Sequence, residues 1–530
     1  MTDLNHWWQQ AIIYQCYLRS FNDSNGDGVG DLPGLIEKLD YLRRLGVDTL
    51  WISPFYPSPM ADLGFDITDH TDVDPLFGTL ADFDRLIAAA HQRQLKVLID
   101  FVPNHTSEEH PWFVESRATR DNPRRDWYLW HDPAPDGGPP TNWRTVFGGC
   151  PAWTFDPQTG QYYYHTYLPQ QPDLNLRNPE VQAALLNILR FWLERGVDGF
   201  RIDALRQLIK DAQLRNNPPN PDYDERTRPY TAVLPVHTTN QPEVHSLVAQ
   251  MRQVLNAYGE RLLLGELYNS IEQTVQYYGE PGTGVQLPTN FHLMFRDWDA
   301  QSIAGLIEEY AAALPSHGWP NWIVGNHDQP RLVSRLGAAQ ARVSAMLLFT
   351  LRGTLGIYYG DEIGMHDVPI PPDQVLDPQE QLEPGMGRDP ARTPMQWDSS
   401  PGAGFTRGKP WLPPAEDADT VNVATQRDDP TALLTLYRRL IALRRATPAL
   451  ISGDYRALTV EGNMLSFIRE HAGQRLLVAL NLGSQAATLE AGSRTIQGNI
   501  VLTTGLDRIG ERVGASLALR GDEGVIVTLV

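Results

Sequence analysis

Gly199-Phe-Arg-Ile-Asp-Ala204 sets an arginine and an aspartate two positions apart in an apolar run that begins at Val197. In an extended strand such neighbours point to the same side, because side chains alternate faces. A guanidinium beside a carboxylate holds the carboxylate ionised. An ionised aspartate at the end of a buried strand is what a covalent nucleophile requires. Taken by itself the hexamer serves equally well as a structural ion pair, so its surroundings have to decide.

Outward from it, similar short apolar runs recur at 11–18, 48–54, 96–102, 262–267, 284–292, 321–328 and 353–362. Amphipathic stretches separate them at 35–45, 80–94, 179–195, 244–258, 303–314 and 338–351, and a further helix is expected over 433–445. Strands alternating with helices in this way predict an α/β fold, a parallel sheet closed into a (β/α)8 TIM barrel. The spacing is irregular in two places. Residues 104–172, rich in Trp, Tyr, Pro and Gly, are too many for a structureless loop and are expected to form an inserted subdomain after the third strand. Residues 365–419, rich in Pro, Gly and Asp, make a long loop after the eighth. Beyond 449 the texture changes to short alternating strands at 457–460, 464–469, 475–482, 500–503 and 524–530, which reads as a small all-β sandwich. The expected order is barrel over 1–103, insertion over 104–172, barrel again over 173–449 and β-domain over 450–530.

A chain of 530 residues exceeds what one core usually covers. Its 44 basic against 64 acidic side chains give a net charge of −20, which argues against nucleic acid or an anionic membrane as partner. Cys16 and Cys150 do not describe a disulfide framework. The first residues lack a basic start and an apolar core, and no run reaches membrane-spanning length, so the cytoplasm is the expected address.

In a barrel of this kind function sits where strands give way to loops. Asp100 and His105 follow the third strand, Arg201 and Asp203 lie on the fourth, Glu266 ends the fifth, and His327 with Asp328 end the seventh. Carboxylates brought from three strands to one mouth repel one another, an arrangement kept only if it is used. At these residues the chain resembles the α-amylase superfamily, glycoside hydrolase family 13, and within it the α-glucosidase and oligo-1,6-glucosidase group. The resemblance rests on Asp100-Phe-Val-Pro-Asn-His105, Gln171-Pro-Asp-Leu-Asn175, Gly199-Phe-Arg-Ile-Asp203, Gly265-Glu266, Asn326-His-Asp328 and Tyr359-Gly-Asp-Glu-Ile-Gly364, all in family order.

The resemblance implies retaining hydrolysis of α-glucosidic bonds in short oligosaccharides or glucosides, with two carboxyl groups about 5–5.5 Å apart. By motif match Asp203 is the nucleophile, Glu266 the acid and base, and Asp328 the third carboxylate that holds sugar hydroxyls. Glu266 must be neutral when substrate binds, and the charges of Asp203 and Asp328 are expected to raise its pKa. Arg201 is expected to keep Asp203 ionised, and His105 and His327 to donate to sugar hydroxyls. Asp62 resembles the group's residue for the far hydroxyls of a terminal glucose, partnered by Arg388 of the Arg388-Asp-Pro-Ala-Arg-Thr-Pro-Met-Gln-Trp397 segment. That pair implies a blind pocket and release of one glucose at a time. Phe65 stands where the group usually has a stacking tyrosine, and Tyr167 and Gln171 fall where the insertion meets the next sugar. Ala204, where the group has valine in α-1,6-specific members, points to α-1,4 bonds.

Asp23-Ser-Asn25-Gly-Asp27-Gly-Val29-Gly-Asp31 mirrors the start of an EF-hand loop, although Gly34 replaces its last glutamate. The group carries Ca²⁺ at this loop, so one structural Ca²⁺, or Mg²⁺ in its place, is expected on Asp23, Asn25, Asp27, Val29 and Asp31, with no cofactor for the chemistry. Other readings of the same residues are transfer of glucose to a sugar or alcohol, an isomerising enzyme acting on sucrose or trehalose, a non-catalytic transporter subunit, and a sugar-binding protein without turnover.

Overall fold

The computed structural model describes residues 6–224, 226–490 and 496–530; the first five residues of the N-terminal stretch read above lie outside the described residues. Strands β1 (Ile12–Cys16), β2 (Thr49–Ile52), β3 (Lys96–Phe101), β4 (Gly199–Ile202), β5 (Leu262–Gly265), β6 (Leu287–Pro288), β7 (Asn321–Ile323) and β8 (Thr354–Tyr358) make one sheet. Its order is β7-β8-β1-β2-β3-β4-β5-β6, parallel throughout. Each strand leads to a helix: α1 (Leu32–Leu45), α2 (Leu80–Gln92), α3 (Pro179–Glu194), α4 (Val244–Asn256), α5 (Ile271–Gln276), α6 (Ala300–Ala313), α7 (Leu332–Thr350) and α8 (Leu433–Ala446). The strands are buried almost from end to end. This is why they read as apolar runs rather than as alternating patterns.

Two close approaches explain particular residues. A Cβ at Gly199 would sit 2.2 Å from the Leu262 carbonyl oxygen, so only glycine lets β4 lie against β5 at this level. Gly46 ends α1 with φ of +103°, and a Cβ there would meet the Ile441 side chain of α8 at 2.8 Å. It is both the left-handed cap and the contact between first and last helix.

The sixth strand departs from expectation. A strand was expected over 284–292, but β6 spans only Leu287–Pro288. Pro288 has no N–H to donate, so the ladder stops there. A side chain closes the seam instead: Asn321 Nδ2 of β7 donates to the Pro288 carbonyl at 2.6 Å, and its Oδ1 accepts from Asn290 N at 2.9 Å.

Between β3 and α3 lie a helix, Pro111–Ala118, and a three-stranded antiparallel sheet of Trp130–His131, Gln161–Tyr164 and Trp153–Asp156. Trp143, Trp153 and Tyr164 pack into a cluster of their own there. A third excursion was not anticipated from sequence. The connection from β4 to α4 runs over residues 203–243, largely irregular. The C-terminal part is an antiparallel six-stranded sheet in the order Asp454–Glu461, Met464–His471, Gln474–Asn481, Gly524–Leu529, Gly498–Thr503 and Arg512–Val513. A two-stranded sheet, Ala487–Glu490 with Ser516–Leu519, lies beside it. The short pieces at 487–490, 512–513 and 516–519 escaped the sequence reading because few of their residues are buried.

Two buried guanidiniums sit at the junction of barrel and β-domain. Arg444 Nη1 donates to the carbonyls of Phe349 (2.9 Å), Leu351 (2.7 Å) and Leu450 (2.7 Å), and its Nη2 to Gly353 at 2.5 Å. Arg469 donates to the carbonyls of Thr350, Leu450 and Gly453. Burial pushes each of these arginines down to about 9. Buried carbonyls stripped of a charged donor cost about 1–3 kcal/mol each. Arg444→Leu is therefore expected to lower unfolding stability by roughly 3–5 kcal/mol, read by urea denaturation. A change below about 1 kcal/mol would mean that water replaces the guanidinium without loss.

Candidate active site

The parallel barrel delivers its carboxylates to one rim because every strand ends on the same face. Asp203 follows β4 directly and donates its N–H to Phe101 O of β3 at 2.9 Å; Glu266 follows β5 and donates to Ile202 O of β4 at 3.0 Å. The strand register sets Arg201 beside Asp100. Arg201, itself buried, reaches three carboxylates: Nη1 lies 2.8 Å from Asp100 Oδ1 and 2.7 Å from Asp203 Oδ1, and Nη2 lies 2.8 Å from Glu266 Oε1. The other Glu266 oxygen accepts from Ala204 N at 2.7 Å. Asp203 and Glu266 are thus held by opposite ends of one guanidinium.

Burial pushes the Asp203 carboxyl well up, against the pull of Arg201 and with Glu266 and Asp100 adding to it. Burial also raises Glu266, again against Arg201, with Asp328 adding to the rise. The sequence reading had Arg201 keeping Asp203 ionised and neighbouring charges raising Glu266. The difference is that Arg201 is shared among three carboxylates and that desolvation exceeds the Coulomb contributions. The two carboxyls titrate as a pair. Asp100, behind them, is pushed up to about 6 by burial despite Arg201.

Asp328 behaves oppositely. Burial opposes its ionisation, but His327 and the guanidiniums of Arg388 and Arg392 outweigh it and hold the carboxyl below the usual range. Burial itself keeps the His327 imidazole neutral down to about 3. The charge that stabilises Asp328 at neutral pH therefore comes from the arginines, Arg392 Nη2 at 2.9 Å and Arg388 Nη1 at 3.4 Å. Arg388 also meets Asp62 at 2.7 Å and Asp377 at 2.6 Å, which closes that end of the site with an ion-paired wall.

A cavity of ≈ 670 Å³ opens between these groups. Of the residues expected at the site, Asp62, Phe65, His105, Tyr167, Asp203, Glu266, His327, Asp328 and Arg388 line it. Arg201 and Gln171 stand behind the lining. Gln171 Nε2 sits 3.1 Å from Asp62 Oδ2 and 3.1 Å from His105 Nε2, so it orients two lining residues and does not itself line the cavity. Phe65 stacks on His327, with ring centroids 5.6 Å apart and planes 5° from parallel. Gln15 Nε2 lies 2.7 Å from His327 Nδ1.

Sequence reasoning missed several contributors. Arg392 was in plain view as the second arginine of the 388–397 segment; besides Asp328 it grips the His327 carbonyl through Nε at 2.7 Å. Asp377, Gln15, Tyr268 and the residues of the 203–243 excursion that line the cavity, Arg206, Arg228 and Tyr230, carried no signal in their spacing. Arg228 joins two loops by an ion pair to Glu383 at 2.9 Å.

In the 23–31 loop, Asp23 Oδ1 accepts from the N–H groups of Asn25 and Gly26, and Oδ2 from Gly28 N and the Thr406 hydroxyl. Asp27 accepts from Val29 N and Asn25 Nδ2, while Asp31 caps α1 through Gly34 N and takes the Ser24 hydroxyl. Hard oxygens suit Ca²⁺ or Mg²⁺. Each already holds a donor, however, and among the described residues no three acidic, His or Cys side chains converge as a metal cluster.

Comparison with known proteins follows from this geometry. The family model "Alpha amylase, catalytic domain" matches residues 15–453. A probable alpha-glucosidase of Rhizobium meliloti (strain 1021) is 42% identical over 509 residues, covering 93% of this chain and 92% of that one. An oligo-1,6-glucosidase of Heyndrickxia coagulans is 38% identical over 530 residues, covering 92% and 94%. Among solved structures, the alpha-glucosyl transfer enzyme XgtA superposes with a TM-score of 0.93 at 43% identity, over 99% of this chain and 100% of that one. With a matching family model across most of its length and a barrel rim carrying the carboxylates, the chain belongs to the alpha-amylase family, in its α-glucosidase-like group, and is a glycoside hydrolase.

Proposed function

We propose that the protein is a retaining, exo-acting α-glucosidase that releases glucose from the non-reducing end of short α-glucosides, with α-1,4 bonds favoured over α-1,6. The single observation that carries this reading is the Arg201 guanidinium bound at once to Asp203 and Glu266, beside a wall closed by Arg388, Asp62 and Asp377. A terminal glucose fits against that wall, and its hydroxyls meet Asp62, Arg388, His105, His327 and Asp328. The Phe65 ring offers a flat apolar face for the sugar. Asp203 attacks the anomeric carbon while Glu266 gives its proton to the departing oxygen, forming a β-glucosyl ester. Glu266 then takes a proton from water, which displaces Asp203 and restores the α-configuration. Arg201 spreads positive charge over whichever carboxylate is ionised. Asp328, held ionised by two arginines, supports the positive ring of the transition state.

Transfer to a hydroxyl other than water has one observation in its favour. Phe295 and Met386 line the cavity on its open side, 55% and 39% exposed. An apolar rim lowers the local water activity at which the ester is resolved and gives an acceptor a surface to rest on.

Asp203→Asn and Glu266→Gln are each expected to lower kcat on maltose by at least about 10³-fold while the melting curve stays cooperative. Azide separates the roles. It should rescue the Glu266→Gln variant to an α-glucosyl azide and a nucleophile-deleted variant, Asp203→Gly, to the β-azide. The opposite anomers, or near-normal turnover in either variant, would reverse or remove the assignment. The pH profile follows from the burial of the pair. Activity falls at low pH as Asp203 takes up a proton and at high pH as Glu266 loses its own; burial raises both carboxyls. A bell-shaped kcat/KM centred above the ordinary carboxylate range of about 4 is expected, and a plateau reaching down to that range would contradict the shared desolvation. The hard oxygens of the 23–31 loop support, as a separate proposal, a structural Ca²⁺ that takes no part in bond cleavage. After chelation, added Ca²⁺ should raise the melting temperature more than Mg²⁺ does; no response to either ion would remove it.

A further inference from the structure

On the outer flank of the barrel, away from the catalytic cavity, a hollow of ≈ 250 Å³ lies between α1, α8 and the residues that follow Gln396. Lys38 and Arg44 of α1, Arg438 of α8 and Arg427 face it together, with Glu37 and Asp398 as its acidic groups. In a chain with 20 more acidic than basic side chains such a grouping is unexpected. Two neighbouring cations on this flank are paired, Arg93 with Asp40 and Arg445 with Asp48. Among the described residues none of the four cations of the hollow forms a close ion pair, although Glu37 and Asp398 act on Lys38 and Asp40 is shared between Arg93 and Arg44.

The acidic groups offset them only in part, since both are also held by neutral donors. Asp398 Oδ1 accepts from the amide and hydroxyl of Ser400, and Glu37 Oε2 accepts from Asn22 Nδ2 at 3.1 Å. Lys38 Nζ lies 4.3 Å from the centre of the Trp397 ring, a cation–π contact in place of an ion pair. Arg438 spends Nη1 on the Arg427 carbonyl at 3.1 Å, while its buried Nε has no acceptor at all. A buried donor without a partner marks a place where an acceptor belongs. Four cations against two carboxylates leave a surplus of two positive charges, which a dianion cancels. Arg44 and Arg427 are exposed, so the hollow is open to solvent.

We propose that this hollow binds a phosphate dianion, free or as the head of a small phosphomonoester. Guanidinium forks match phosphate oxygens in pairs, which favours phosphate over a halide. The wall also connects to the catalytic cavity. Trp397 ends the segment that begins with Arg388 and contains Arg392, the two arginines on Asp328. Its indole N–H is fixed on Phe21 O at 2.7 Å and its ring meets Tyr41 edge-on at 5.0 Å. A ligand at the hollow thus rests on the same stretch of chain that closes the site.

The test titrates the intact protein at low ionic strength with inorganic phosphate and, in a second arm, with glucose 6-phosphate, by calorimetry and by melting temperature. One saturable site per chain is expected, with a melting temperature that rises with the logarithm of ligand concentration. Preference for one arm identifies the source. The Arg44→Gln/Arg427→Gln double variant should weaken binding by about tenfold or more, the effect of about 1.4 kcal/mol of lost charge pairing, with α-glucoside hydrolysis unchanged because neither residue lines the catalytic cavity. A response to both ligands no larger than to sodium chloride of equal ionic strength overturns the proposal, and so does undiminished binding in the double variant.

Discussion

One guanidinium against three carboxylates is the constraint on which the site turns. Arg201 is nearly inaccessible to solvent, and its partners Asp100, Asp203 and Glu266 are all buried. With every group ionised the cluster would carry two uncompensated negative charges in a medium of low polarisability, which costs far more than holding a proton. Burial therefore pushes all three carboxyls up, against the pull of Arg201. The retaining mechanism proposed above needs one carboxyl protonated and its partner ionised, a division that sharing one guanidinium favours.

The opposite balance governs the other half of the cavity. Around Asp328 two arginines converge, both from the long loop after β8, and Arg388 is anchored in turn by Asp377 and Asp62. The Asp328 carboxyl is thus held low while those of Asp203 and Glu266 are pushed up. Two kinds of carboxylate share one cavity, set apart largely by how many guanidiniums each meets. The long loop exists because no barrel strand delivers those arginines. They enter from above, on backbone that Tyr358 and Tyr359 fasten by donating to the Ala391 and Thr393 carbonyls.

This division explains what the sequence revealed. Asp203, Glu266 and Asp328 were legible because they sit at the ends of apolar runs, where a parallel barrel has to expose whatever polar residue comes next. Asp62 and Arg388, far apart in the chain, were found only through resemblance to a family, since no periodicity links two loops. Asp377 and Gln15 were invisible for the same reason without even a motif to mark them. The β6 strand was overestimated because an apolar run reads as a strand whether or not its proline can join a ladder. The rise at Glu266 was anticipated and that at Asp203 was not: a sequence lists the charges but not the burial, and here burial decides the direction for Asp203.

Ala204 draws these levels together. It adopts φ of +50°, a left-handed conformation uncommon outside glycine, directly after Asp203. That turn aims its N–H at Glu266 Oε2, so the strained backbone beside Asp203 holds Glu266 in place. A β-branched residue pays more for this conformation than alanine does. Enlarging position 204 is therefore expected to loosen the amide that holds Glu266.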